Sequence, residues 1–336
     1  VVHCKEHQNV SMRAALESIV LLKNENNILP LSKSIKKVAV IGPNAAEVDN
    51  LICRYGPANA PIKTVYQGIK DYLPDSEVRY AKGADIIDEY FPESELYDVP
   101  LNKTEETMID EAVALAKESD VAIMVLGGNE KTVREEYSRT NLHLCGRQEK
   151  LLQAVYATGK PVILVMIDGR AATINWAERY IPGIVHDWFP GEFMGDAIAK
   201  VIFGDYNPGG KLAVTFPRSV GQIPFAFPFK PGSDSKGFVR VTGSLYPFGY
   251  GLSYTTFDYS ALKIENPVIG TQGSVKLSCR VKNTGKIAGD EVVQLYLHAE
   301  VSSVTTYVKV LRGFERIHLQ PGEEKVVDFV LTPQDM

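Results

Sequence analysis

Three short apolar runs, separated by stretches with helical periodicity, constrain the fold of this chain more than any other feature of its sequence. They fall at residues 38–41, 121–126 and 162–167, and a further strand is predicted at 184–188. Runs that are apolar at every position are typical of strands buried on both faces of a parallel sheet. Parallel neighbours need long crossover connections, which are usually helices. The sequence therefore predicts an α/β domain over residues 37–210, with a mostly parallel sheet of five or six strands sandwiched by helices.

The stretches between these runs supply the predicted helices and one more strand. Apolar residues recur at helical spacing, and Gly159 follows the fourth helical stretch as a stop signal. Predicted helices cover residues 12–22, 66–73, 104–119, 148–159, 177–180 and 195–203, and a strand covers 77–80. The first helix runs into a strand-like V-L-L at residues 20–22. Residues 1–36 are predicted to be a linker and leading helix.

The segment after the 121–126 run carries most of the candidate chemistry. Gly127 and Gly128 end the strand, and six ionisable residues follow: Glu130, Lys131, Arg134, Glu135, Glu136 and Arg139. Ligands of open α/β sheets bind at the carboxyl ends of strands, so these carboxylates stand where chemistry is expected. Composition alone is more typical of a solvated charged loop. We expect residues 131–139 to form a surface loop that contributes little to stability.

Several classes of ligand are disfavoured by the sequence. The turn after residues 38–41 reads G-P-N-A-A, without the further glycines of a dinucleotide site, and no G-x-S-x-G elbow of an esterase is present. No apolar run approaches the ~20 residues that span a bilayer. A net charge of −5 without a basic stripe argues against nucleic acid and anionic membranes. Four scattered cysteines, Cys4, Cys53, Cys145 and Cys279, lack metal-ligand spacing and are predicted to be buried thiols.

Composition changes after residue 204, and the pattern that follows predicts a second kind of structure. Proline, glycine and aromatic residues dominate residues 211–257, which are predicted to be an irregular tether. Residues 258–336 show β alternation, with strands predicted at 274–281, 291–297 and 326–331. This is a small β-sandwich of roughly 80 residues, and such sandwiches usually need ~100, so one or two strands are expected to be missing.

Several motifs, in the same order, resemble the C-terminal half of family 3 glycoside hydrolases. They are S-I-V-L-L-K-N-E-N-N-I-L-P-L at 18–31, V-A-V-I-G-P-N at 38–44, W-F-P-G-E at 188–192, F-G-D-Y-N-P-G at 203–209 and Y-P-F-G-Y-G-L-S-Y at 246–254. The last portion resembles the fibronectin type III-like domain that ends many members, through V-K-N-T-G at 281–285, L-R-G-F at 311–314 and L-Q-P-G-E at 319–323. Together these motifs cover essentially the whole chain.

The resemblance implies a retaining exo-β-glycosidase of the β-glucosidase or β-xylosidase type, secreted or periplasmic, that acts on oligosaccharides or glycosides without a cofactor. In this family a barrel domain precedes the α/β sandwich and holds the nucleophilic aspartate. The chain lacks an initiator methionine and opens within a polar segment, so we expect a cleaved or truncated polypeptide that begins after the barrel and is inactive by itself. A non-catalytic carbohydrate-binding or scaffolding module with the same fold is the alternative.

The resemblance also implies which carboxylate acts. Retaining hydrolysis needs two carboxyl groups ~5–5.5 Å apart, a nucleophile and a general acid/base. In many members the acid/base begins a run such as E-G-Y-D-R, matched here by E-E-Y-S-R at 135–139, which places it on Glu135. The run departs from the family at Glu136 and Ser138, and Cys145 stands where proline is common, so Glu130 and Glu136 stay open as alternatives. Arg134, Glu136 and Arg139 are then substrate-binding or loop-ordering residues.

Four residues near the ends of later strands have two interpretations each. Trp188 and Phe189 are expected to pack in the core rather than to stack on a sugar. His186, on the same predicted strand, is expected to be a hydrogen-bonded core histidine. Asp168 follows the 162–167 strand like a ligand group, but Asp-Gly is also an ordinary turn.

Overall fold

The computed structural model of the chain describes residues 3–52, 54–56, 61–232 and 241–336. A six-stranded sheet lies at the centre of its N-terminal part. The strands are β1 (Val20–Asn24), β2 (Lys37–Ile41), β3 (Glu77–Ala81), β4 (Val121–Gly127), β5 (Val162–Ile167) and β6 (Gly183–Asp187). Their order across the sheet is β1-β6-β5-β4-β2-β3, with β2 to β6 parallel and β1 antiparallel to β6. The predicted mostly parallel sheet is confirmed.

In the described ranges, six α-helices cover both faces of this sheet. They are α1 (Lys5–Ser18), α2 (Val65–Tyr72), α3 (Lys103–Glu118), α4 (Gln148–Tyr156), α5 (Asn175–Tyr180) and α6 (Met194–Ile202). Residues of α3, α4 and α5 pack against one face, and residues of α1, α2 and α6 pack against the other. Helix α1 lies further towards the N-terminus than predicted, because the backbone becomes extended at Ile19 and continues as β1. Within the described ranges, no helix is both long and apolar enough to cross a membrane.

The central strands explain why the sequence pattern is so strong. Every residue of β4 and β5 is buried. Ala122 and Met124 face the layer of α3, α4 and α5, whereas Val121, Ile123 and Val125 face the opposite layer. A strand covered on both sides has no polar face, so its sequence is apolar throughout.

The segment between the sheet and the C-terminal strands is tied to the edge of the sheet. Its two short strands, β7 (Phe216–Pro217) and β8 (Ser244–Tyr246), pair antiparallel. The rings of Tyr246 and Tyr250 stack with centroids 5.4 Å apart, and the Tyr250 hydroxyl donates a hydrogen bond to the carbonyl of Leu22 in β1 at 3.1 Å. The division of the chain at residues 36, 210 and 257 stays a prediction.

The C-terminal part is a small antiparallel sandwich of two sheets. Strands β9 (Phe257–Glu265), β10 (Val275–Asn283) and β13 (Glu324–Leu331) form one sheet, and β11 (Gly289–Leu297) and β12 (Val310–Leu319) form the other. The predicted fibronectin type III-like sandwich is confirmed. Strands β9 and β12 were not predicted; in β9 the alternation of apolar and polar residues breaks at Ala261 and Leu262, where Ala261 has φ 51° and the pairing with β10 shifts register.

The cysteines are less uniformly buried than we predicted from their scattered positions in the sequence. Cys145 is buried, whereas Cys4 and Cys279 are partly exposed. The prediction of buried thiols is therefore wrong for those two residues. Cys53 lies outside the described residues.

Candidate active site

The loops that leave the carboxyl ends of β2, β4, β5 and β6 meet at one edge of the sheet. Because these strands are parallel neighbours, their carboxyl ends lie side by side. A cleft of about 450 Å³ lies between the loops, within the size range of small-molecule sites. Glu130, Arg134 and Glu135 of the β4 loop line it, together with Tyr55 of the β2 loop and Phe189 of the β6 loop.

The β4 loop begins with a tight, buried turn. Gly127 has φ +150°, and a Cβ there would lie 1.8 Å from the carbonyl oxygen of Ile167, so only glycine fits against β5. The carbonyl of Asn129 then accepts hydrogen bonds from the backbone N–H groups of Thr132 and Val133 at 2.9 and 3.0 Å. These bonds fix the position from which residues 134–139 extend.

Glu135 lies at the mouth of the cleft, and its side chain is 73% exposed. The Tyr55 hydroxyl donates a hydrogen bond to Glu135 Oε2 at 2.5 Å. Arg54 Nη2 donates to the same hydroxyl at 2.8 Å and lies 3.8 Å from Glu135 Oε2. Two residues of the β2 loop therefore hold a carboxylate of the β4 loop at the mouth of the cleft.

Glu130 is more enclosed than Glu135 and is held by two arginines. The backbone N–H of Arg54 donates to Glu130 Oε2 at 3.3 Å, and the Arg54 side chain lies 3.7 Å from Oε1. Arg134 Nη1 lies 3.8 Å from the same Oε1. The Arg134 guanidinium also stacks on Tyr137, 3.7 Å from the ring centroid. Glu130 and Arg134 thus neutralise each other at the side of the cleft.

Arg139 lies away from the cleft, in a buried ion pair with Glu95. The two side chains are only 7% and 5% exposed. Arg139 also donates to the carbonyl of His143 at 2.9 Å, and the hydroxyl of Thr140 donates to Glu95 Oε2 at 2.8 Å. These contacts tie the end of the loop to the segment before α3.

Residues 131–139 form a surface loop, as the sequence predicted, in which Lys131 and residues 135–138 are exposed. Thr132 is completely buried. Arg170, in the loop after β5, donates hydrogen bonds to the carbonyls of Thr132 at 3.1 Å and Tyr137 at 2.6 Å. The loop is therefore anchored at Thr132, Tyr137 and Arg139, whereas the side chains of residues 135–138 stay exposed.

Glu136 is exposed and occupies the left-handed region of the backbone, with φ 71°. This conformation is unfavourable for a residue with a side chain and is readily adopted by glycine. The strained position is the one at which the sequence departs from the E-G-Y-D-R run. The backbone thus gives a physical reason for glycine at that place.

Asp168 lies buried beneath the turn that opens the β4 loop. A Cβ on Gly128 would lie 3.0 Å from its Oδ1, and the backbone N–H of Arg170 donates to that oxygen at 3.1 Å. Burial raises the pKa of Asp168 to about 6, and Arg139 and Arg170 act in the opposite direction. Asp168 therefore belongs to an Asp-Gly turn, and its carboxyl group is buried.

The end of β6 corrects two predictions from the sequence. His186 is buried, but neither ring nitrogen has a hydrogen-bond partner, and burial lowers its pKa to about 3. It packs edge-on against Trp188 with centroids 4.3 Å apart, so the predicted hydrogen bond is wrong and the core position is right. Trp188 packs in the core as expected, whereas Phe189 is 36% exposed and lines the cleft.

Sequence reasoning missed Arg54, Tyr55 and Glu95. For the first two the predicted strand β2 was the only signal, because ligand-binding loops follow such strands, and the adjacency of β2 and β4 was not predicted. Glu95 gave no such signal, since it comes from an irregular segment between β3 and α3. Its partnership with Arg139 depends on the packing of that segment.

Comparison with known proteins covers nearly the whole chain. The model of the glycosyl hydrolase family 3 C-terminal domain matches residues 19–254, and that of a fibronectin type III-like domain matches residues 291–336. A β-xylosidase of Formosa agariphila is 43% identical over 97% of this chain and 45% of its own length. A periplasmic β-glucosidase of Salmonella typhimurium is 41% identical over 96% of this chain and 45% of its own length.

A solved structure matches the chain over the same extent. A β-glucosidase from Erythrobacter marinus superposes with a TM-score of 0.90 at 38% identity, covering 99% of this chain and 46% of that protein. The chain thus spans about half the length of the relatives that it matches.

Proposed function

The chain belongs to glycosyl hydrolase family 3, and on that basis we propose that it is the C-terminal part of a retaining exo-β-glycosidase. The reaction is hydrolysis of terminal β-linked sugars from glycosides or oligosaccharides, of the β-glucosidase or β-xylosidase type. The names of its relatives support both sugar classes. An N-terminal barrel of the same enzyme is the partner that supplies the nucleophilic aspartate. A secreted or periplasmic location is proposed from the name of the Salmonella relative.

We assign the general acid/base to Glu135, and the observation that carries this assignment is its position at the mouth of the cleft under the Tyr55 hydroxyl. Of the three candidate carboxylates, Glu130 lies between Arg54 and Arg134, which hold it at the side of the cleft. Glu136 follows Glu135 on a strained backbone and does not line the cleft. Glu135 combines exposure with a hydrogen-bond donor that can respond to its charge.

Two proton transfers by Glu135 account for retaining hydrolysis. In the first step its carboxyl group protonates the glycosidic oxygen while the barrel aspartate attacks the anomeric carbon and forms a glycosyl-enzyme. In the second step the resulting carboxylate removes a proton from the water that releases the sugar. The Tyr55 hydroxyl stabilises the carboxylate between these steps, because it donates a hydrogen bond to that charged form.

The neighbouring residues keep this carboxylate in place. Arg139 orders the loop through its buried pair with Glu95 rather than by binding sugar. Arg134 orients the loop through Glu130 and Tyr137. Glu136 sets the backbone bend that directs Glu135 towards the cleft.

The proposal is tested in the polypeptide in which this chain follows its barrel, called the barrel-containing enzyme below. Glu135→Ala should lower kcat/KM by roughly 10²–10⁴-fold for glycosides with basic leaving groups, and far less for nitrophenyl glycosides, since only basic oxygens need protonation. The 336-residue chain without a barrel should release no nitrophenol. Equal slowing of both substrate classes, or robust turnover by the isolated chain, would contradict the proposal.

A further inference from the structure

Three aromatic rings form a cluster on the face of the sheet that α3, α4 and α5 cover. They belong to Tyr156, the last residue of α4, and to Trp176 and Tyr180, near the beginning and at the end of α5. The ring centroid of Trp176 lies 5.4 Å from that of Tyr156 and 4.9 Å from that of Tyr180, and the two tyrosine centroids are 6.0 Å apart. Each ring contacts the other two, so they form one continuous patch rather than scattered surface residues.

The cluster lies away from the candidate active site. Helices that connect parallel strands run back from the carboxyl ends of the strands to their amino ends. Tyr156 and Tyr180 end two such helices, so they lie near the amino ends of β5 and β6. The cleft beside Glu135 lies at the carboxyl ends, and none of the three rings lines it. A ligand on the cluster therefore does not compete with a sugar at Glu135.

The inner side of the cluster is packed, and its outer side is open to solvent. Trp176 packs against the buried residues of the sheet, whereas Tyr156 and Tyr180 are 38% and 42% exposed. Neither tyrosine hydroxyl has a hydrogen-bond partner among the described residues. The exposed Arg179 guanidinium lies 5.6 Å from the centroid of the Tyr180 ring. The patch thus offers apolar ring faces bordered by two hydroxyl groups and a guanidinium.

The size of the cluster distinguishes between a protein and a sugar as its ligand. Aromatic side chains bury ~150–250 Å² each, so at these exposures the three rings offer on the order of 200 Å². A stable protein interface needs about 800 Å² from each partner. A sugar ring needs far less, because its C–H face packs on an aromatic ring while the hydroxyl groups at its perimeter find polar partners. The cluster therefore fits a sugar better than a second protein.

We propose that Tyr156, Trp176 and Tyr180 form a second carbohydrate-binding site, which holds a polysaccharide chain of β-linked xylose or glucose by stacking on its rings. The site performs no chemistry and keeps the enzyme on a polymer whose ends it hydrolyses. The inference goes beyond the proposed function and rests on it only for the choice of sugar.

Native electrophoresis in gels that contain soluble xylan or hydroxyethyl cellulose tests this site in the barrel-containing enzyme. The unsubstituted enzyme should migrate more slowly in at least one of these gels than in a plain gel. Tyr156→Ala and Tyr180→Ala should each raise the dissociation constant by roughly 3- to 10-fold, as expected for the loss of one aromatic contact. The double variant should not be retained. Tyr307→Ala, at an exposed tyrosine of the C-terminal sandwich, is the matched control and should be retained normally.

Activity on a nitrophenyl glycoside separates loss of binding from loss of folding. The tyrosine variants should keep the kcat/KM of the unsubstituted enzyme, because neither ring lines the cleft. Glu135→Ala should be retained in the gel like the unsubstituted enzyme, since the polysaccharide is held at the other edge of the sheet. Loss of both retention and activity in the tyrosine variants would contradict a separate binding site.

Three further results would overturn the proposed site. They are no retention of the unsubstituted enzyme in either gel, retention that survives the double substitution, and a change of oligomeric state in the tyrosine variants on gel filtration, which would make the cluster a protein interface. These outcomes are independent of the acid assignment. If retention depends on the rings but Glu135→Ala has no selective effect on basic leaving groups, the binding site stands and the proposed function is contradicted.

Discussion

The loop after β4 has an anchored base and an open tip, and the two regions use carboxylates in opposite ways. At the base, Glu95 and Arg139 form a buried pair that fixes the chain. At the tip, Glu135 is exposed and meets the hydroxyl of Tyr55. A buried ion pair holds geometry but cannot readily exchange protons with substrate or water, whereas an exposed carboxylate can. The difference indicates that the buried ion pair fixes the position of the loop, whereas the exposed carboxylate at the tip stays free to react.

The largest expected effect on stability comes from removing the ion pair at the base of the loop. Glu95→Ala leaves the Arg139 guanidinium buried without its partner, so we expect a loss of about 3–5 kcal/mol in the free energy of unfolding. Urea unfolding followed by tryptophan fluorescence would measure it, since Trp176 and Trp188 both lie in the α/β part. Removing Glu118 from its exposed pair with Arg79 is the matched control and should cost at most about 1 kcal/mol. Equal small losses in the two variants would mean that the base is not anchored.

The second effect concerns the buried carboxyl beneath the base. Burial raises the pKa of Asp168 to about 6 in the folded protein, above its ordinary value of 3.8. The folded state then binds more protons than the unfolded state between these two values, so Asp168 makes stability fall as the pH rises from about 4 to about 6. Asp168→Asn removes this titration.

We therefore expect Asp168→Asn to match the original protein near pH 3.5 and to exceed its unfolding free energy by about 3 kcal/mol above pH 7. Comparing urea midpoints of the two proteins across this range isolates Asp168 from other titrating groups. A variant that is less stable at pH 7 would show that the ionised carboxylate, held by Arg139 and Arg170, is the stabilising form.

The smallest expected effect on stability comes from a substitution at the tip of the loop. Glu136→Gly relieves the left-handed backbone but adds flexibility to the unfolded chain, so the two contributions nearly cancel and stability should change by less than about 1 kcal/mol. Activity of the barrel-containing enzyme should be retained, because Glu136 is assigned no proton transfer. A marked loss of activity with the fold intact would move the acid/base towards Glu136.

The extent to which sequence predicted the fold follows the same contrast between buried and exposed regions. Strands β4 and β5 were predicted because burial on both faces leaves an apolar run that needs no context. Strand β9 was missed because its side chains are mostly exposed and its alternation is interrupted at Ala261, where the pairing with β10 shifts register. Local patterns report burial, so they fail where a strand is held mainly by backbone pairing.

The candidate site was predictable only in part. Glu135 could be proposed from the E-E-Y-S-R run and its place after a strand. Its partners could not, since Tyr55 is 80 residues away in sequence and comes to Glu135 only through the pairing of β2 with β4. The burial of Arg139 could not be predicted from the sequence either, because its salt bridge with Glu95 depends on how an irregular segment packs.

Azide rescue tests the assignment of Glu135 most directly. Azide is a nucleophile that needs no general base, so it should restore turnover of an activated aryl glycoside by the Glu135→Ala form of the barrel-containing enzyme and release a β-glycosyl azide. Glu130→Ala and Glu136→Ala serve as matched controls and should show no rescue. Rescue in either control instead of Glu135→Ala would reassign the acid/base, and rescue in none of the three would remove it from this loop.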